Sequence, residues 1–261
     1  PLRGKSFHKG PILDFADAMN RQLAMMLEDI SQTDRLSSAK VPELSSVHVI
    51  EGSCLEKLPL LPSSSVDVVI TSPPYCNRYD YTRTYALELA YLGIDEQALR
   101  DLRQRLLSCT VENRAKIDCL RKQYDDGGDR DVFDRALSSF QNQDALQEVL
   151  TLLDGFNQEN RLNNSNIPRM VRNYFLESSV VVHELARLVR PGGRVIMVND
   201  NVQYGGEEVP VDLILSDIAE DAGFRTECIW VLPRGKGNSS QQMGAHGRKE
   251  LRKCVYVWRQ R

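Results

Sequence analysis

The chain has 261 residues, a net charge of −3 and 26% charged residues, an ordinary composition for a globular protein. No apolar run is long enough to span a bilayer, and the first residues lack an apolar signal core, so we expect neither a membrane helix nor a secretory signal. The six cysteines are scattered without a CxxC pair, which argues against a zinc site or a disulfide framework and favours reduced thiols in the cytoplasm.

The first 94 residues predict helices and two strands. Apolar residues recur every three or four positions over residues 12–30, the spacing of an amphipathic helix. Strands are expected at residues 47–50 and 66–70. The second is a run of branched residues typical of a strand buried on both faces of a parallel sheet. A short helix is expected at residues 85–92.

Residues 95–167 are polar and show helical but no strand patterns, so we expect a helical insertion there. It divides the rest of the chain into residues 1–94 and 168–261. In chain order, the last part predicts a helix at 170–188 capped by Gly192-Gly193, a strand at 194–198, a helix at 211–222, and strands at 225–232 and 254–258. This alternation indicates an α/β fold with a mostly parallel sheet and an antiparallel edge strand.

The chain turns abruptly after residue 70, at Thr71-Ser72-Pro73-Pro74-Tyr75. A parallel sheet places its ligand crevice at the carboxyl ends of its strands. Two prolines fix φ at two positions and remove two backbone donors, which leaves carbonyl oxygens without competing N–H groups. Ser72 adds a side-chain oxygen, and Tyr75 adds a ring on which a planar base can stack. The alternative is a rigid turn without a function.

Such a loop suits methylation of an exocyclic amine, which is a poor nucleophile because its lone pair is delocalised into the ring. Accepting the amine's hydrogens pulls the nitrogen toward sp³ geometry and frees the lone pair for attack on a methyl sulfonium. In duplex DNA the base must first be flipped out, at a cost of a few kcal/mol.

Residues 67–75 resemble the (Asp/Asn/Ser)-Pro-Pro-(Tyr/Phe) motif of amino-methylating DNA methyltransferases, and the Ser form is associated mainly with cytosine N4 rather than adenine N6. Residues 185–195 look like the helix–turn–strand before the fifth strand of class I AdoMet-dependent methyltransferases. Residues 237–258 are similar to the last strand pair of bacterial modification methylases. The resemblance implies a Rossmann-like sheet, S-adenosyl-L-methionine (AdoMet) as cofactor, double-stranded DNA as partner, and a role in restriction-modification.

By that resemblance, Ser72 and the Pro73 carbonyl bind the target amino group, Pro74 belongs to the same catalytic loop, and Tyr75 stacks on the flipped base. The cofactor site is assigned to the turn after the first strand, with a plain β-turn as the alternative, and to the residue before Ser72: Glu51, Gly52, Ser53, Cys54 and Thr71.

Because the net charge is negative, a DNA-binding surface has to be local. Basic residues near the C-terminus offer one, although they also fit a solvated rim: Arg234, Lys236, Arg248, Lys249 and Arg252. The insertion at 95–167 is the candidate target-recognition region, with a lid or dimer interface as the alternative.

Two further groups of residues each have a structural and a functional interpretation. Asn199, Asp200 and Asn201 end a predicted strand and either contact substrate or cap the next loop. The tyrosines after the Pro-Pro turn are interpreted as packing residues, with Tyr79 as a second candidate for base stacking: Tyr79, Tyr81, Tyr85 and Tyr91.

The family's Gly-rich AdoMet loop, which lets the backbone approach the cofactor, has no counterpart in this sequence. Three explanations remain: the chain is the C-terminal part of a longer enzyme whose N-terminal part carries the loop and the first strands, a second chain supplies them, or the protein is a degenerate relative that binds DNA without catalysis. A protein glutamine or RNA amino-group methyltransferase is a further alternative, since related loops serve there.

We therefore predict that this chain by itself binds AdoMet weakly or not at all. Isothermal titration calorimetry of the isolated chain measures this, with the complete or reconstituted enzyme as the positive control. Tight binding by the isolated chain would overturn the prediction.

Overall fold

A computed structural model of the chain describes residues 13–36, 47–127, 129–233 and 251–261, with side chains up to residue 31 in the first range. Residues 1–50 and 51–261 form two compact units. The described part of the first unit is helix α1, Phe15–Leu36, followed by residues 47–50. The strand predicted at 47–50 is wrong, because these residues have no hydrogen-bonded partner strand among those described, and Val49 is 90% exposed.

The second unit contains nine helices among its described residues. In chain order these are α2 (Cys54–Lys57), α3 (Tyr81–Thr84), α4 (Ala86–Tyr91), α5 (Glu96–Arg105), α6 (Ile117–Gly127), α7 (Arg130–Asn142), α8 (Asp144–Gln158), α9 (Ile167–Leu188) and α10 (Val211–Asp221). A 3-10 turn, Leu58–Leu60, follows α2. None of the described helices is both long and apolar enough to cross a membrane.

Its strands are β1 (Val66–Thr71), β2 (Val189–Asp200), β3 (Val202–Tyr204), β4 (Glu207–Val209), β5 (Phe224–Val231) and β6 (Lys253–Gln260). Four of them form a sheet in the order β1-β2-β6-β5, and β3 and β4 form a hairpin. Among the described strands, β1 pairs with β2 in parallel, whereas β6 is antiparallel to both of its neighbours, β2 and β5. The described sheet is therefore mixed. The last two strands pair antiparallel to each other as expected, but the strand that runs against the others, β6, lies between β2 and β5 and not at an edge, so the prediction of an antiparallel edge strand is wrong.

The pair Gly192-Gly193 does not cap a helix, contrary to the prediction. Helix α9 ends at Leu188, and Val189 is already extended. The register of β1 on β2 shifts here, since Val66 pairs with Val189 and Val68 with Arg194. A Cβ at Gly193 would lie 2.6 Å from the Asp67 carbonyl oxygen, so glycine is needed where the bulged strand passes β1.

One face of the sheet forms the main core. Residues paired across strands share a face, and on this face Val195, Met197, Tyr256 and Trp258 are each at most 3% exposed. Helices α9 and α10 pack against it, and the Trp258 indole donates a 3.1 Å hydrogen bond to Ser216 Oγ on α10. Burial of these side chains fixes the direction of β2 and, through it, of β1.

The opposite face is apolar but open. Val68, Ile70 and Trp230 lie on it and are 52%, 75% and 60% exposed. The prediction that β1 is buried on both faces is therefore wrong for this chain. In the part of the chain that the structure describes, β1 also has a neighbour on one side only.

The helices of residues 95–167 share the core of the second unit. Helices α7 and α8 pack against α9. A second apolar cluster joins α6, α7 and α9, and includes Tyr124, Phe133 and Val180. The described residues of this region contain the helices α5 to α8.

His183 on α9 is 5% exposed, and its Nε2 lies 3.1 Å from Ser139 Oγ. Burial, assisted by the charge of Arg135, lowers the pKa of His183 from 6.5 to about 4. As the pH falls, the unfolded chain binds a proton at His183 before the folded chain does. His183 therefore contributes its full stabilisation of the folded state above pH 6.5, and this contribution is lost as the pH falls toward 4.

We predict that lowering the pH from about 7.5 to about 4.5 removes on the order of 2 kcal/mol more from the free energy of unfolding of wild type than of His183→Gln. Urea denaturation of both proteins at the two pH values measures the difference. Equal pH dependence in wild type and variant would contradict it.

Candidate functional site

The loop predicted to be catalytic, Ser72–Tyr75, begins where β1 ends. Thr71 pairs with Met197, so the loop leaves the sheet beside the last residues of β2. Because the two strands are parallel, their carboxyl ends meet at the same edge. Ser72 is exposed and Tyr75 is half-buried, so neither side chain belongs to the core.

Within the loop, Ser72 Oγ lies 3.3 Å from the Tyr75 hydroxyl. Either oxygen can donate, so a proton shared with Tyr75 leaves lone pairs of Ser72 directed outward. The Tyr75 carbonyl accepts a 2.7 Å bond from the Asn77 amide, which closes a tight turn after the prolines. The arrangement offers hydrogen-bond acceptors beside an accessible ring.

The residues after the loop are anchored from three sides. The Tyr204 hydroxyl donates to the Cys76 carbonyl at 2.5 Å. The Cys109 thiol donates to the Tyr79 carbonyl at 3.4 Å, and Arg78, which has a φ of +66°, donates to Asn163 Oδ1 at 2.7 Å. The loop therefore rests on contacts from distant parts of the chain.

Cys109 lies next to a buried charge pair. Glu177 on α9 is 1% exposed and accepts bonds from the amide and hydroxyl of Ser108 at 2.8 and 2.6 Å and from Lys116 Nζ at 2.9 Å. Burial raises the pKa of Glu177, whereas Lys116 and Ser108 oppose the shift. Through Ser108, this pair holds the segment that contacts Tyr79.

Asp80 caps α3 immediately downstream. Its Oδ1 accepts from the Thr82 amide at 3.0 Å and from Thr82 Oγ1 at 2.6 Å, and its Oδ2 lies 3.1 Å from Arg103 Nε on α5. Partial burial raises the pKa of Asp80, but the Thr82 bonds and the Arg103 charge outweigh it, so the pKa is lowered. The carboxylate thus joins the loop's exit to the helical region.

The turn predicted to contact the cofactor adenine, Glu51 to Cys54, leads into α2. Ser53 is 8% exposed, and its Oγ is buried without a hydrogen-bond partner among the described residues. Gly52 has a φ of +139°, and the side chain of Lys57 packs over it. Cys54 carries a thiol whose pKa is raised by burial, so it is a neutral group.

Most of the predicted DNA-binding residues, Arg234, Lys236, Arg248 and Lys249, lie outside the described residues. Arg252 is described, and its guanidinium forms a 3.0 Å ion pair with the fully buried Asp212. Its side chain remains 43% exposed, so one face of the group is accessible. We find no group of three or more His, Cys, Asp or Glu residues suited to a metal in the described ranges.

Asn199 and Asn201, at the two ends of the segment 199–201, form hydrogen bonds that hold neighbouring elements of the fold. Asn199 is fully buried and donates to the Tyr174 hydroxyl at 2.8 Å, and Asn201 Oδ1 accepts from the amide of Asp212 in the first turn of α10. Between them, Asp200 pairs with Lys253 Nζ at 3.0 Å. These contacts favour the capping interpretation over substrate contact.

The tyrosines after the loop are more exposed than packing residues. Tyr85 is 53% exposed and Tyr91 is 91% exposed, so the packing interpretation is wrong for both. Tyr79 is 42% exposed and meets Tyr81 edge to face, with 4.9 Å between ring centroids.

Sequence reasoning missed Tyr204 and its hairpin. The signal was present, since Gly205-Gly206 separates two short β-type segments, and both glycines have positive φ values of 61° and 96°. Nothing in the sequence, however, relates position 204 to position 76.

No family model matches the chain. Among curated proteins, it is 48% identical over 256 residues to the type II methyltransferase M.AvaI of Nostoc sp. and also to that of Anabaena variabilis, covering 97% of this chain and 50% of each relative. It is 42% identical to the type II methyltransferase M.BsoBI of Geobacillus stearothermophilus, over 96% of this chain and 48% of that protein. The chain is homologous to part of these type II methyltransferases. It spans about half of their length.

Among solved structures, the chain overlaps a protein of Thermus thermophilus that is named as a candidate DNA modification methylase. Identity is 15%, with 80% of this chain and about half of that chain covered. The TM-scores are 0.33 for the selenomethionine derivative and 0.32 for the complex with S-adenosyl-L-methionine. Scores this low do not establish a shared fold.

We predict that Asp80→Ala lowers the free energy of unfolding by about 1–2 kcal/mol, since it removes both the α3 cap and the Arg103 pair. Asp80→Asn, which keeps a capping oxygen, is expected to cost less. The matched control is Asp95→Ala, which removes an exposed cap of α5 made through one bond to the Ala98 amide. Chemical denaturation measures all three, and a loss for Asp80→Ala no larger than for Asp95→Ala would contradict the prediction.

Proposed function

We propose that this chain carries the catalytic loop of a restriction-modification DNA methyltransferase that methylates the exocyclic amino group of a flipped base, with cytosine N4 favoured over adenine N6. One observation carries the proposal. An exposed, donor-poor Ser72–Tyr75 loop lies at the carboxyl end of a parallel strand, with Ser72 Oγ and the Tyr75 hydroxyl 3.3 Å apart. The homology to type II methyltransferases supports it.

In this proposal the chain's own residues bind and orient the base. Ser72 Oγ and the Pro73 carbonyl accept the two hydrogens of the target amine, and Pro74 keeps that carbonyl fixed. The Tyr75 ring stacks on the base, which offsets part of the few kcal/mol that unstacking costs. Both amine hydrogens are then held away from the direction in which the nitrogen lone pair reacts.

AdoMet, when bound, supplies the methyl group as an electrophilic sulfonium. The residues of this chain fit one part of it. The orphaned buried Ser53 Oγ offers a hydrogen bond, and Glu51, Gly52, Cys54 and Thr71 complete the assigned contact region. The sequence contains no counterpart of the family's Gly-rich loop for the rest of the molecule, so we assign that contact to residues outside this chain.

Two surfaces of the sheet suit contact with residues from outside this chain. Among the described strands β1 has a partner on one side only, so its other side offers backbone groups for pairing, and the exposed face around Val68, Ile70 and Trp230 is apolar. In the proposal, a further segment or a second chain adds strands beside β1 and helices over this face. The sheet is then covered on both faces, as parallel strands require. Relatives twice as long as this chain have the residues for this.

Duplex DNA is the proposed substrate, with the basic residues near the C-terminus as backbone contacts and residues 95–167 as the target-recognition region. Arg252 contributes through its exposed face, while its pair with Asp212 holds the group in place. No specific contact supports the alternative role of residues 95–167 as a lid, because α7 and α8 pack against α9 within the core.

The test uses the complete or reconstituted enzyme with tritiated AdoMet and defined duplexes, followed by mass spectrometry of the modified base. Ser72→Ala is expected to reduce kcat about 10²- to 10³-fold, because it removes a preorganised polar contact to the reacting amine. Tyr75→Ala is expected to weaken capture of the flipped base by about 1–3 kcal/mol. Both variants should keep most of their affinity for DNA.

Two outcomes contradict the proposal. A wild-type enzyme that binds DNA but transfers no methyl group is a binding or specificity subunit. Transfer to RNA or to a protein amide in preference to duplex DNA assigns the loop to the other amino-group methyltransferases. A Thr84→Ala variant, altered on α3 away from the loop, serves as the control for nonspecific loss.

A further inference from the structure

The β3–β4 hairpin holds the backbone just beyond the catalytic loop. Tyr204, 7% exposed at the end of β3, donates its hydroxyl hydrogen to the Cys76 carbonyl at 2.5 Å. Cys76 directly follows Tyr75 and is itself fully buried. A buried carbonyl needs a partner, and this hydroxyl supplies it.

The loop has few other backbone bonds, since Pro73 and Pro74 cannot donate. Its turn is closed by the Asn77 amide, which donates to the Tyr75 carbonyl at 2.7 Å. The Cys76 carbonyl and the Asn77 N–H belong to the same peptide group. Rotation of that group therefore disturbs the hydrogen bond that holds the Tyr75 backbone, and with it the direction of the Tyr75 ring.

The hairpin is in turn fixed by the helical region. A Cβ at Gly205 would lie 2.6 Å from Phe156 Cδ2 of α8 and 3.4 Å from Leu162 Cδ2, so the hairpin tip is pressed against both. Arg161 packs on the first of these side chains, with its guanidinium carbon 3.7 Å from the Phe156 ring centroid. The loop that contains Leu162 also contains Asn163, the partner of Arg78.

From these contacts we infer that Tyr204 is a positioning residue for methyl transfer, which sets the Tyr75 ring by holding the Cys76 carbonyl and links the catalytic loop to the end of α8. This inference rests on the proposed function. Burial raises the pKa of Tyr204 well above its usual value, so the hydroxyl keeps its proton near neutral pH.

The test compares Tyr204→Phe with Tyr174→Phe. Tyr174 is also a fully buried tyrosine whose hydroxyl has a side-chain partner, Asn199 Nδ2 at 2.8 Å, but among the described contacts it makes no hydrogen bond to the loop. In the complete enzyme, Tyr204→Phe is expected to lower kcat about tenfold to a hundredfold, because small misplacements of a reacting group have effects of this size. The KM for AdoMet should stay within about twofold, and Tyr174→Phe should change neither constant by more than that.

A second measurement is independent of activity. In the isolated chain, hydrogen exchange followed by NMR should show faster exchange of the Asn77 amide in Tyr204→Phe than in Tyr174→Phe or wild type. Equal kcat in the two variants overturns the positioning role, and so does unchanged protection of Asn77. If wild type transfers no methyl group, the proposed function fails, and the positioning role for methyl transfer fails with it, whatever the exchange result.

Discussion

The parallel pairing of β1 with β2 is the constraint on which the candidate site depends. It brings Thr71 level with Met197, so the chain leaves the sheet at the same edge as the end of β2. The pairing is maintained because β2 and β6 bury alternate side chains against α9 and α10. Gly193 permits it locally, since any side chain there would meet the Asp67 carbonyl. The core thus determines the direction in which the Ser72–Tyr75 loop projects.

The Ser72–Tyr75 loop is kept stiff by its local sequence and by tertiary contacts. The two prolines restrict φ and remove donors, which is a property of the local sequence. The remaining stiffness comes from tertiary contacts to the residues that follow the loop. Tyr204 contacts them from the β3–β4 hairpin, Cys109 from the segment beside the buried Glu177–Lys116 pair, and Asn163 from the loop before α9. In the proposed function, a loop held in this way needs little reorganisation to accept a planar base.

The two faces of the sheet differ, and this asymmetry underlies the proposal that a further polypeptide segment packs against it. One face is dry, whereas the other exposes Ile70 and Trp230 to solvent. Apolar strands of this kind are usually covered on both faces, and a free edge invites pairing. The chain is homologous to about half the length of its type II methyltransferase relatives, and the proposal places a further segment or a second chain on these surfaces.

The sequence by itself determined the periodic elements and the chemistry of the loop. Helices α9 and α10 and strands β5 and β6 follow from hydrophobic periodicity, and the donor-poor turn follows from Pro73 and Pro74, because these properties depend on neighbouring residues. The tertiary structure alone decided that residues 47–50 form no strand, that β1 is open on one face, that Gly193 serves a bulge, and that Tyr204 binds the Cys76 carbonyl. Each of these depends on which distant segments meet, and pairing across 128 positions of chain leaves no periodic trace in the sequence.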